Sequence, residues 1–453
     1  MEQKRGSNAQ ENFKGLYRFV SALLITASVT LLYAYLWYSR LNLLRYRKFQ
    51  FINKGNLLMV MIYAAIVIAI FIPFGAYKVG SSRKAHALLS QGWGLFLVNS
   101  IELVLSIAVI GRVKQIPKII SGFVWLYAAE LVVLLFLTVT LINIYRLLFP
   151  PYRMLQIYGE HQNGLADKMN ARDDKFWVSG AISAQVPLRE IEHEIDKYDA
   201  VLINDTPSEL RNAVLKYCFV HKKRIYFTPK ISDILVVGSK EMNLFDSPLF
   251  LNKNADSLIF YLFAKRCMDI AVALFGIILT SPFMIATALA IHFYDGGPVF
   301  YRQKRLTKDG RCFDILKFRS MIVDAEKESG ARLAGEHDSR ITPVGNFIRK
   351  TRIDELPQFF NILGGSMSVV GPRPERPEIH ERYCQKVPEF DYRLRVKAGL
   401  TGYAQVYGKY NTTTYDKLKF DLLYVEKANL LLDLQLVLLT LRVVFQKEAT
   451  EGV

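Results

Sequence analysis

Four long apolar runs dominate the first 150 residues of the chain, and polar and basic stretches separate them. The runs cover residues 19–38, 56–77, 92–111 and 119–145. Each is long enough for an α-helix to cross the hydrocarbon core of a bilayer, which takes about 20 residues. The pattern therefore predicts an α-helical membrane bundle of four spans over residues 1–150.

Two carboxylates interrupt this apolar pattern, Glu102 in the third run and Glu130 in the fourth. A carboxylate at membrane depth is a functional candidate, because burying its charge is costly. An equally good interpretation is that both side chains face the interior of the bundle and are hydrogen-bonded there. Basic residues lie on both sides of the first run, so charge alone does not orient the spans.

Residues 151–240 change to short strands that alternate with helices. The predicted strands cover 154–158, 176–183, 200–204 and 224–227. One helix is predicted to end near 171, and two more are predicted at 187–197 and 207–221. This alternation is typical of a parallel sheet, so we predict an α/β Rossmann-like domain. Gly159 and Gly164 do not form the glycine fingerprint of a dinucleotide site, so no such site is expected.

A linker is predicted over 241–264, and an almost entirely apolar segment follows at 267–293. Ser281 and Pro282 lie in its middle, where proline removes a backbone hydrogen bond and kinks a helix. Ser281 can bond the carbonyl that the proline frees. Basic residues flank both ends, which favours a re-entrant hairpin that enters and leaves the membrane on one side. The alternative is a kinked fifth span.

Beyond residue 298 the pattern predicts a soluble region rich in apolar patches. Strands are predicted at 299–301 and 313–318, a helix at 324–332 before a loop at 334–337, and a helix pair that opens at 342–345. Residues 422–445 are strongly apolar but carry Asp433, Gln435 and Arg442, which is typical of helices lying on a membrane surface.

The composition agrees with a membrane protein that carries soluble parts. Of the 453 residues, 51% are hydrophobic, and the mean hydropathy is +0.16. The formal net charge of +17 favours anionic partners such as phosphates and lipid headgroups. Nucleic acid is not an expected partner, because the basic residues are scattered and no nucleic-acid motif is present. The four cysteines are widely spaced and are expected to be free thiols.

An adjacent pair of carboxylates, Asp354 and Glu355, lies among the cations Arg349, Lys350 and Arg352. Such cations favour ionised carboxylates and suit an anionic substrate such as a diphosphate. One carboxylate can attack phosphorus as a nucleophile, and its neighbour can hold a hard cation such as Mg2+. Taken alone, the pair is explained more simply as an exposed, charged helix start.

Three motifs in order surround this pair: Lys-Phe-Arg-Ser-Met at 317–321, Arg-Lys-Thr-Arg-Ile-Asp-Glu-Leu-Pro-Gln at 349–358, and Gly-Pro-Arg-Pro at 371–374. Together with Lys-Arg-Cys-Met-Asp at 265–269 and the segments 297–303 and 399–406, they resemble the bacterial sugar transferases. These are polyprenyl-phosphate sugar-1-phosphate transferases, or large monotopic phosphoglycosyl transferases. The resemblance implies an α/β monotopic catalytic domain over 265–453, with a re-entrant membrane helix hairpin at 267–293.

The resemblance also implies a reaction. A sugar-1-phosphate would pass from a nucleotide diphosphate sugar, with a UDP-sugar expected, to polyprenyl (undecaprenyl) phosphate, in the first membrane step of exopolysaccharide, capsule or O-antigen synthesis. By the motif match Asp354 is the catalytic nucleophile, which forms a covalent phosphosugar intermediate, and Glu355 ligates Mg2+. The other implied roles are phosphate binding for Arg349 and Arg373, substrate binding or packing for Lys317 and Arg319, and hairpin structure for Ser281 and Pro282.

The resemblance places the chain in the bacterial inner (plasma) membrane as a multi-pass protein. Its catalytic domain would be cytoplasmic, where nucleotide sugars are found, with membrane lipid as a partner and a homodimer left open. Two departures from the family's commoner pattern leave the base and sugar preference open. Lys397-Ala398 stands where Arg-Pro is frequent, and Arg352-Ile353 where Ser-Leu is frequent.

Two other classes of protein compete with this interpretation. A non-catalytic membrane scaffold of a polysaccharide assembly complex would have no physical need for Asp354, Glu355 and Arg373 together. A polytopic membrane enzyme acting through a ternary complex would need acidic residues in the loops between the spans, and those loops are basic and poor in acids.

Overall fold

The computed structural model describes residues 2–41, 44, 53–159, 164–244, 247–252, 259–322, 338, 340–408 and 412–444. The chain divides into two compact units, Met1–Thr228 and Pro229–Val453. The helix predicted at 324–332 and the loop predicted at 334–337 lie outside the described residues.

Long apolar helices form the first part of the first unit. They are α1 (Glu2–Leu36), which continues as a π-helical turn at Trp37–Leu41, then α2 (Asn53–Phe74), α3 (Lys84–Ile110) and α4 (Ile116–Leu148). Together with a helix of the second unit they make five that are long and apolar enough to cross a membrane, among the residues described. Helices α1 to α4 correspond to the four apolar runs of the sequence. The chain thus has the helices of a multi-pass membrane protein. The exact number of spans stays a prediction.

Both carboxylates of the apolar runs lie inside this helical bundle. Tyr33 donates a hydrogen bond of 2.5 Å to Glu102, and Tyr63 donates one of 2.5 Å to Glu130. Asn99 donates a further bond of 2.7 Å to Glu130. Both carboxylates are fully buried, and the two tyrosine rings stack with centroids 4.2 Å apart. The interpretation that they face the bundle interior and are hydrogen-bonded there is confirmed.

An α/β region completes the first unit. Its elements are β1 (Arg153–Tyr158), α5 (Leu165–Asn170), β2 (Trp177–Ser183), α6 (Leu188–Asp196), β3 (Ala200–Asn204), α7 (Ser208–Val220) and β4 (Arg224–Phe227). The strands form one sheet in the order β2-β1-β3-β4, and every pair is parallel. The predicted strands and parallel sheet are confirmed, whereas the Rossmann-like assignment stays a prediction. Central strand β3 is buried throughout, as a strand covered on both faces must be.

The second unit begins with α8 (Ile231–Val237) and an antiparallel pair, β5 (Lys240–Leu244) and β6 (Ser247–Leu251). This pair falls largely within the segment predicted as a linker over 241–264, so that segment is not without regular structure. The side chains of β6 are exposed on both faces, and the strand therefore lacks the one-sided burial that marks a strand in sequence.

One long helix, α9 (Ile259–Asp295), contains the segment predicted to be a re-entrant hairpin. It continues through Pro282 as a single helix rather than as two separate ones. The Ser281 hydroxyl donates a 2.9 Å hydrogen bond to the carbonyl of Ile278, four residues before the proline. That carbonyl is the one left without its helical N–H partner by Pro282.

The rest of the second unit follows α9 in the chain. Its elements are β7 (Phe300–Leu306), β8 (Cys312–Phe318), α10 (Pro343–Lys350), α11 (Gln358–Gly364), β9 (Ser368–Val370), α12 (Pro377–Lys386), β10 (Gly399–Thr401), α13 (Tyr403–Tyr407), α14 (Thr414–Lys427) and α15 (Leu430–Val444). β7 and β8 overlap the strands predicted at 299–301 and 313–318 and pair antiparallel, and β9 pairs parallel with β10. A shared core joins Ala273, Ile362, Val370 and Leu436 from four of these elements.

The apolar C-terminal segment forms two helices, as predicted. α14 and α15 meet at residues 428–429, and α15 buries Leu436 and Leu439 in the core. Asp433 is fully buried, and Leu431 on the same helix is 69% exposed. One face of α15 therefore serves the core of the unit, and the expectation that these helices lie on a membrane surface stays a prediction.

Candidate active site

The two adjacent carboxylates project from a tight turn between two helices. α10 begins at Thr342, whose hydroxyl accepts from the backbone N–H of Gly345, and it ends at Lys350. Arg352 then adopts a left-handed conformation with φ of 56°, and a 3₁₀ turn follows at Ile353–Glu355 before α11. This left-handed residue turns the chain away from the axis of α10, so both acids lie in the turn between α10 and α11.

Two cations from distant motifs converge on this turn. Lys317 at the end of β8 places Nζ 3.0 Å from Oε1 of Glu355 and 3.8 Å from Oδ2 of Asp354. Arg373 places Nη2 3.1 Å from the same Oε1. The side chains of Asp354 and Glu355 are only 13% and 14% exposed. The simpler interpretation, an exposed charged helix start, is therefore wrong, because these acids lie in a partly desolvated cluster of alternating charge.

The two carboxylates differ in their electrostatic surroundings. Burial raises the pKa of Asp354 to about 6, Lys317 opposes that rise, and the neighbouring Glu355 carboxylate adds to it. Burial also opposes ionisation of Glu355, but Lys317 and Arg373 outweigh it and hold the pKa of Glu355 well below its ordinary value. One acid is thus firmly ionised and ion-paired. The other is a less stabilised carboxylate, which is the better nucleophile of the two.

The Gly-Pro-Arg-Pro loop holds Arg373 through its backbone. Its carbonyl accepts a 2.8 Å hydrogen bond from Nη2 of Arg393, and the carbonyl of Pro374 accepts one of 3.0 Å from Arg305. Gly371 bonds to Thr401 of β10 at 2.8 Å and lies so close to the backbone of residue 397 that a side chain would not fit. The fixed loop leaves the Arg373 guanidinium half exposed, with 50% of its side chain open to an anionic ligand.

The resemblance also assigns substrate binding to Arg349 and Arg319, which lie in different surroundings from Lys317 and Arg373. Arg349 lies in the last turn of α10, and its charge lowers the pKa of Asp354 without a direct ion pair being involved. Arg319 is 8% exposed and pairs with Asp295 at the end of α9, close against Gly297. This contact gives Arg319 a packing role, and substrate binding by Arg349 and Arg319 stays a prediction.

The Lys-Arg-Cys-Met-Asp motif has a role that its sequence did not reveal. Lys265 bonds the carbonyl of Val370 at 3.1 Å and pairs with Asp433 at 2.9 Å. Arg266 donates bonds of 2.6 and 2.7 Å to the carbonyls of residues 362 and 363, the last turn of α11. Asp269 accepts bonds from Ser368 and from the backbone N–H of residue 369. The motif fastens α9 to α11, the helix that follows the acidic turn, and a cation at a helix C-terminus is favourable there.

The acidic turn also has the donor set of a magnesium site. Mg2+ is held in proteins by one or two carboxylates, with substrate phosphates and water completing its oxygen shell. Asp354 and Glu355 supply adjacent carboxylate oxygens, and the low pKa of Glu355 keeps that ligand ionised at neutral pH. The residues therefore fit the ion that the resemblance implies.

Known proteins are similar in sequence to the part of the chain that contains the acidic turn. Residues 260–447 match the family model described as bacterial sugar transferase. A UDP-N-acetylgalactosamine-undecaprenyl-phosphate N-acetylgalactosaminephosphotransferase from Aeromonas hydrophila is 38% identical over 257 residues, 55% of this chain and 59% of the relative. A UDP-glucose:undecaprenyl-phosphate glucose-1-phosphate transferase from Klebsiella pneumoniae is 36% identical over 247 residues, 53% of this chain and 51% of that protein.

A shorter protein of Bacillus subtilis (strain 168) is 48% identical over 134 residues, 30% of this chain and 74% of that protein. Its provisional name is undecaprenyl-phosphate N-acetylgalactosaminyl 1-phosphate transferase. The chain belongs to the bacterial sugar transferase family. The matched segment spans only 59% and 51% of the length of the Aeromonas and Klebsiella relatives.

Proposed function

We propose that this protein transfers a sugar-1-phosphate from a nucleotide diphosphate sugar, with a UDP-sugar as donor, to undecaprenyl phosphate. The observation that carries the proposal is the acidic turn. Asp354 and Glu355 are held together by Lys317 and flanked by the half-exposed Arg373, each from a different motif. The relatives named as sugar-1-phosphate transferases support the same reaction.

The first half-reaction is nucleophilic attack by Asp354. A carboxylate oxygen of Asp354 bonds to the phosphorus that bears the sugar, and the bond from that phosphorus to the nucleotide oxygen breaks. Nucleoside monophosphate leaves with the electron pair of that bond. A phosphosugar ester remains on Asp354, and this acyl phosphate is reactive enough to pass its group on.

The second half-reaction regenerates the carboxylate. A phosphate oxygen of undecaprenyl phosphate attacks the same phosphorus, and the bond to the Asp354 oxygen breaks. The product is undecaprenyl diphosphate bearing the sugar. The long apolar helix α9 belongs to the same unit as the acidic turn, so a lipid acceptor and a water-soluble donor can both reach it.

The cations lower the barrier to bringing one anion onto another. Lys317 lies 3.8 Å from Asp354, close enough to screen the carboxylate as it meets a diphosphate. Arg373 offers a half-exposed guanidinium whose planar fork matches phosphate oxygens. Mg2+ bound with Glu355 would neutralise charge on the diphosphate. We assign the reaction to the cytoplasmic face of the bacterial inner membrane, where the donor is found.

The covalent intermediate gives the sharpest test. The enzyme is incubated with UDP-sugar and no lipid acceptor, and released nucleoside monophosphate is counted against enzyme. We expect a burst no larger than the amount of enzyme, and a phosphosugar adduct by mass spectrometry on the peptide that contains Asp354. Monophosphate release only in the presence of undecaprenyl phosphate, with no adduct, would establish direct transfer in a ternary complex instead.

Matched variants separate the roles of the acids. Asp354→Asn should abolish the burst and turnover, because an amide is a very poor nucleophile. Glu355→Gln should lower turnover mainly by weakening Mg2+ and should raise the Mg2+ concentration needed. Asp314→Asn is the control, since Asp314 is a 45% exposed carboxylate paired with Lys304 on the neighbouring strands. Normal activity in Asp354→Asn would refute the nucleophile assignment and would mean that a different group attacks the phosphorus.

A further inference from the structure

A second cluster of chemically reactive side chains lies outside the acidic turn. His380 and Cys384 are one helical turn apart on α12, so they share a face. Asp391 comes from the 3₁₀ segment Pro388–Arg395 that follows. One ligand atom from each residue lies within 4.8 Å of the other two.

Both neighbours of the histidine converge on a single ring nitrogen. Sγ of Cys384 is 3.3 Å from Nε2, and Oδ1 of Asp391 is 3.2 Å from the same Nε2. A ring nitrogen carries either one N–H or one lone pair, so it cannot donate to the carboxylate and accept from the thiol at once. The other ring nitrogen, Nδ1, is buried and has no partner within the described part of the chain. Hydrogen bonding therefore leaves this cluster incompletely satisfied.

The geometry also excludes a nucleophilic relay. In a thiol–imidazole–carboxylate relay the acid and the nucleophile bind opposite nitrogens of the ring, so that the acid fixes the tautomer. Here Cys384 and Asp391 share Nε2 of His380. The thiol is therefore not activated in the manner of a cysteine hydrolase.

A metal ion would bind the three converging atoms at once: Nε2 of His380, Sγ of Cys384 and Oδ1 of Asp391. With Zn–N, Zn–S and Zn–O bonds of about 2.0–2.3 Å, tetrahedral ligand atoms are separated by about 3.3–3.6 Å. The two measured separations, 3.2 and 3.3 Å, lie close to that spacing. Imidazole, thiolate and carboxylate together suit a borderline ion such as Zn2+, whereas Mg2+ prefers oxygen alone.

We propose that His380, Cys384 and Asp391 form a Zn2+ site, with water as the fourth ligand. The site is open to solvent on one side, because the Asp391 side chain is 68% exposed. It is distinct from the acidic turn and does not depend on the reaction proposed above.

The position of the site indicates what the metal would do. α12 begins three residues after Pro374, directly beyond the Arg373 loop. Arg393 on the 3₁₀ segment donates to the carbonyl of Arg373, and a small pocket is lined by both arginines together with His380. A metal would join α12, which follows the Arg373 loop, to the 3₁₀ segment, which binds that loop through Arg393. This cross-link would restrict the backbone of Arg373.

Cobalt binding tests the proposal directly. The reduced, metal-stripped full chain in lipid nanodiscs is titrated with Co2+, and the thiolate-to-cobalt charge-transfer absorption is recorded. We expect an equimolar band that Zn2+ displaces, and a Zn2+-dependent rise in the thermal midpoint. Absence of the band would overturn the proposal.

Variants identify the ligands. Cys384→Ser and His380→Gln should each abolish both the band and the Zn2+-dependent rise, and Asp391→Asn should weaken Co2+ binding at least tenfold. Cys267→Ser and Cys312→Ser are the matched controls, since both cysteines are exposed and lie elsewhere. A band that persists in Cys384→Ser, or that is lost in Cys267→Ser or Cys312→Ser, would assign the metal to a different thiol and refute the site. If Cys384→Ser fails to fold, the test uses His380→Gln, in which both the Co2+ band and the Zn2+-dependent rise in the thermal midpoint should be lost.

Discussion

A buried ion pair behind the Arg373 loop allows a quantitative test of the structure. Asp421 accepts a hydrogen bond of 2.8 Å from Nε of Arg393, and the same carboxylate oxygen lies 2.7 Å from Nη2 in an ion pair. The side chains are 1% and 4% exposed. Glu375 is the other acid near Arg393, at the longer distance of 3.9 Å. The Asp421→Asn substitution keeps the shape of this side chain and removes its charge.

The expected cost follows from the burial of the pair. Removing one partner of a buried pair leaves an uncompensated charge and costs about 3–5 kcal/mol. An asparagine oxygen can still accept from Arg393, and Glu375 is close, so the lower end of about 3 kcal/mol applies. In a unit of this size each kcal/mol shifts the thermal midpoint by about 2–4 °C, which gives a decrease of about 6–12 °C.

A surface pair with similar contact distance provides the control. Lys304 and Asp314 are 3.1 Å apart, but their side chains are 68% and 45% exposed. Solvent screens such a pair, so Asp314→Asn should cost about 0–1 kcal/mol and at most about 4 °C. Both variants are measured by thermal unfolding in the same detergent. A shift in Asp421→Asn no larger than that in Asp314→Asn would refute the assignment of a desolvated pair that holds the loop.

Two further comparisons test packing around α9 and the acidic turn by thermal unfolding. A side chain at Gly345 would overlap the Ser320 carbonyl, whereas one at Gly364 would meet nothing within 4 Å. Gly345→Ala should therefore lower the thermal midpoint. Gly364→Ala should leave it unchanged, or raise it because alanine has the better helix propensity. Equal effects of the two substitutions would contradict the packing at Gly345. Lys265→Met leaves the Asp433 charge buried and should cost about 3–5 kcal/mol, while the double variant with Asp433→Leu should recover most of that loss. Additive losses in the double variant would show that the pair is not coupled.

Elements with a local pattern were predictable from the sequence. The strands of the parallel sheet follow from short apolar segments bounded by turn residues, and β3 is buried throughout as a central strand should be. The helix pair around Asp354 and Glu355 follows from the Thr-Pro start at Thr342 and the apolar spacing after it. In each case the information lies within one turn or one strand of the residue concerned.

Contacts between distant residues were not predictable in this way. Lys265 and Asp433 are 168 positions apart, and nothing near Asp433 indicates that this acid is fully buried. Arg393 belongs to none of the motifs, yet it holds the carbonyl of Arg373. The partner of a buried charge is chosen by tertiary packing, so a sequence pattern shows that such a charge needs a partner without showing which one.

The course of α9 can be deduced from contacts at its two ends. Arg266 binds the last carbonyls of α11, and Asp295 pairs with Arg319 just after β8. α11 and β8 are themselves joined by a 2.8 Å hydrogen bond from the backbone of Leu316 to Asn361.

A hydrocarbon core is about 30 Å thick and the two elements are directly bonded, so we predict that both ends of α9 lie on one face of a membrane. Single-cysteine variants test this with an impermeant maleimide applied to spheroplasts and to inverted vesicles: Asn252→Cys reports on the side before α9, and the exposed Cys312 on the side after it. Both cysteines should react from the same side. Reaction of one cysteine from each side would mean that α9 crosses the membrane and that the contacts at one of its ends are wrong.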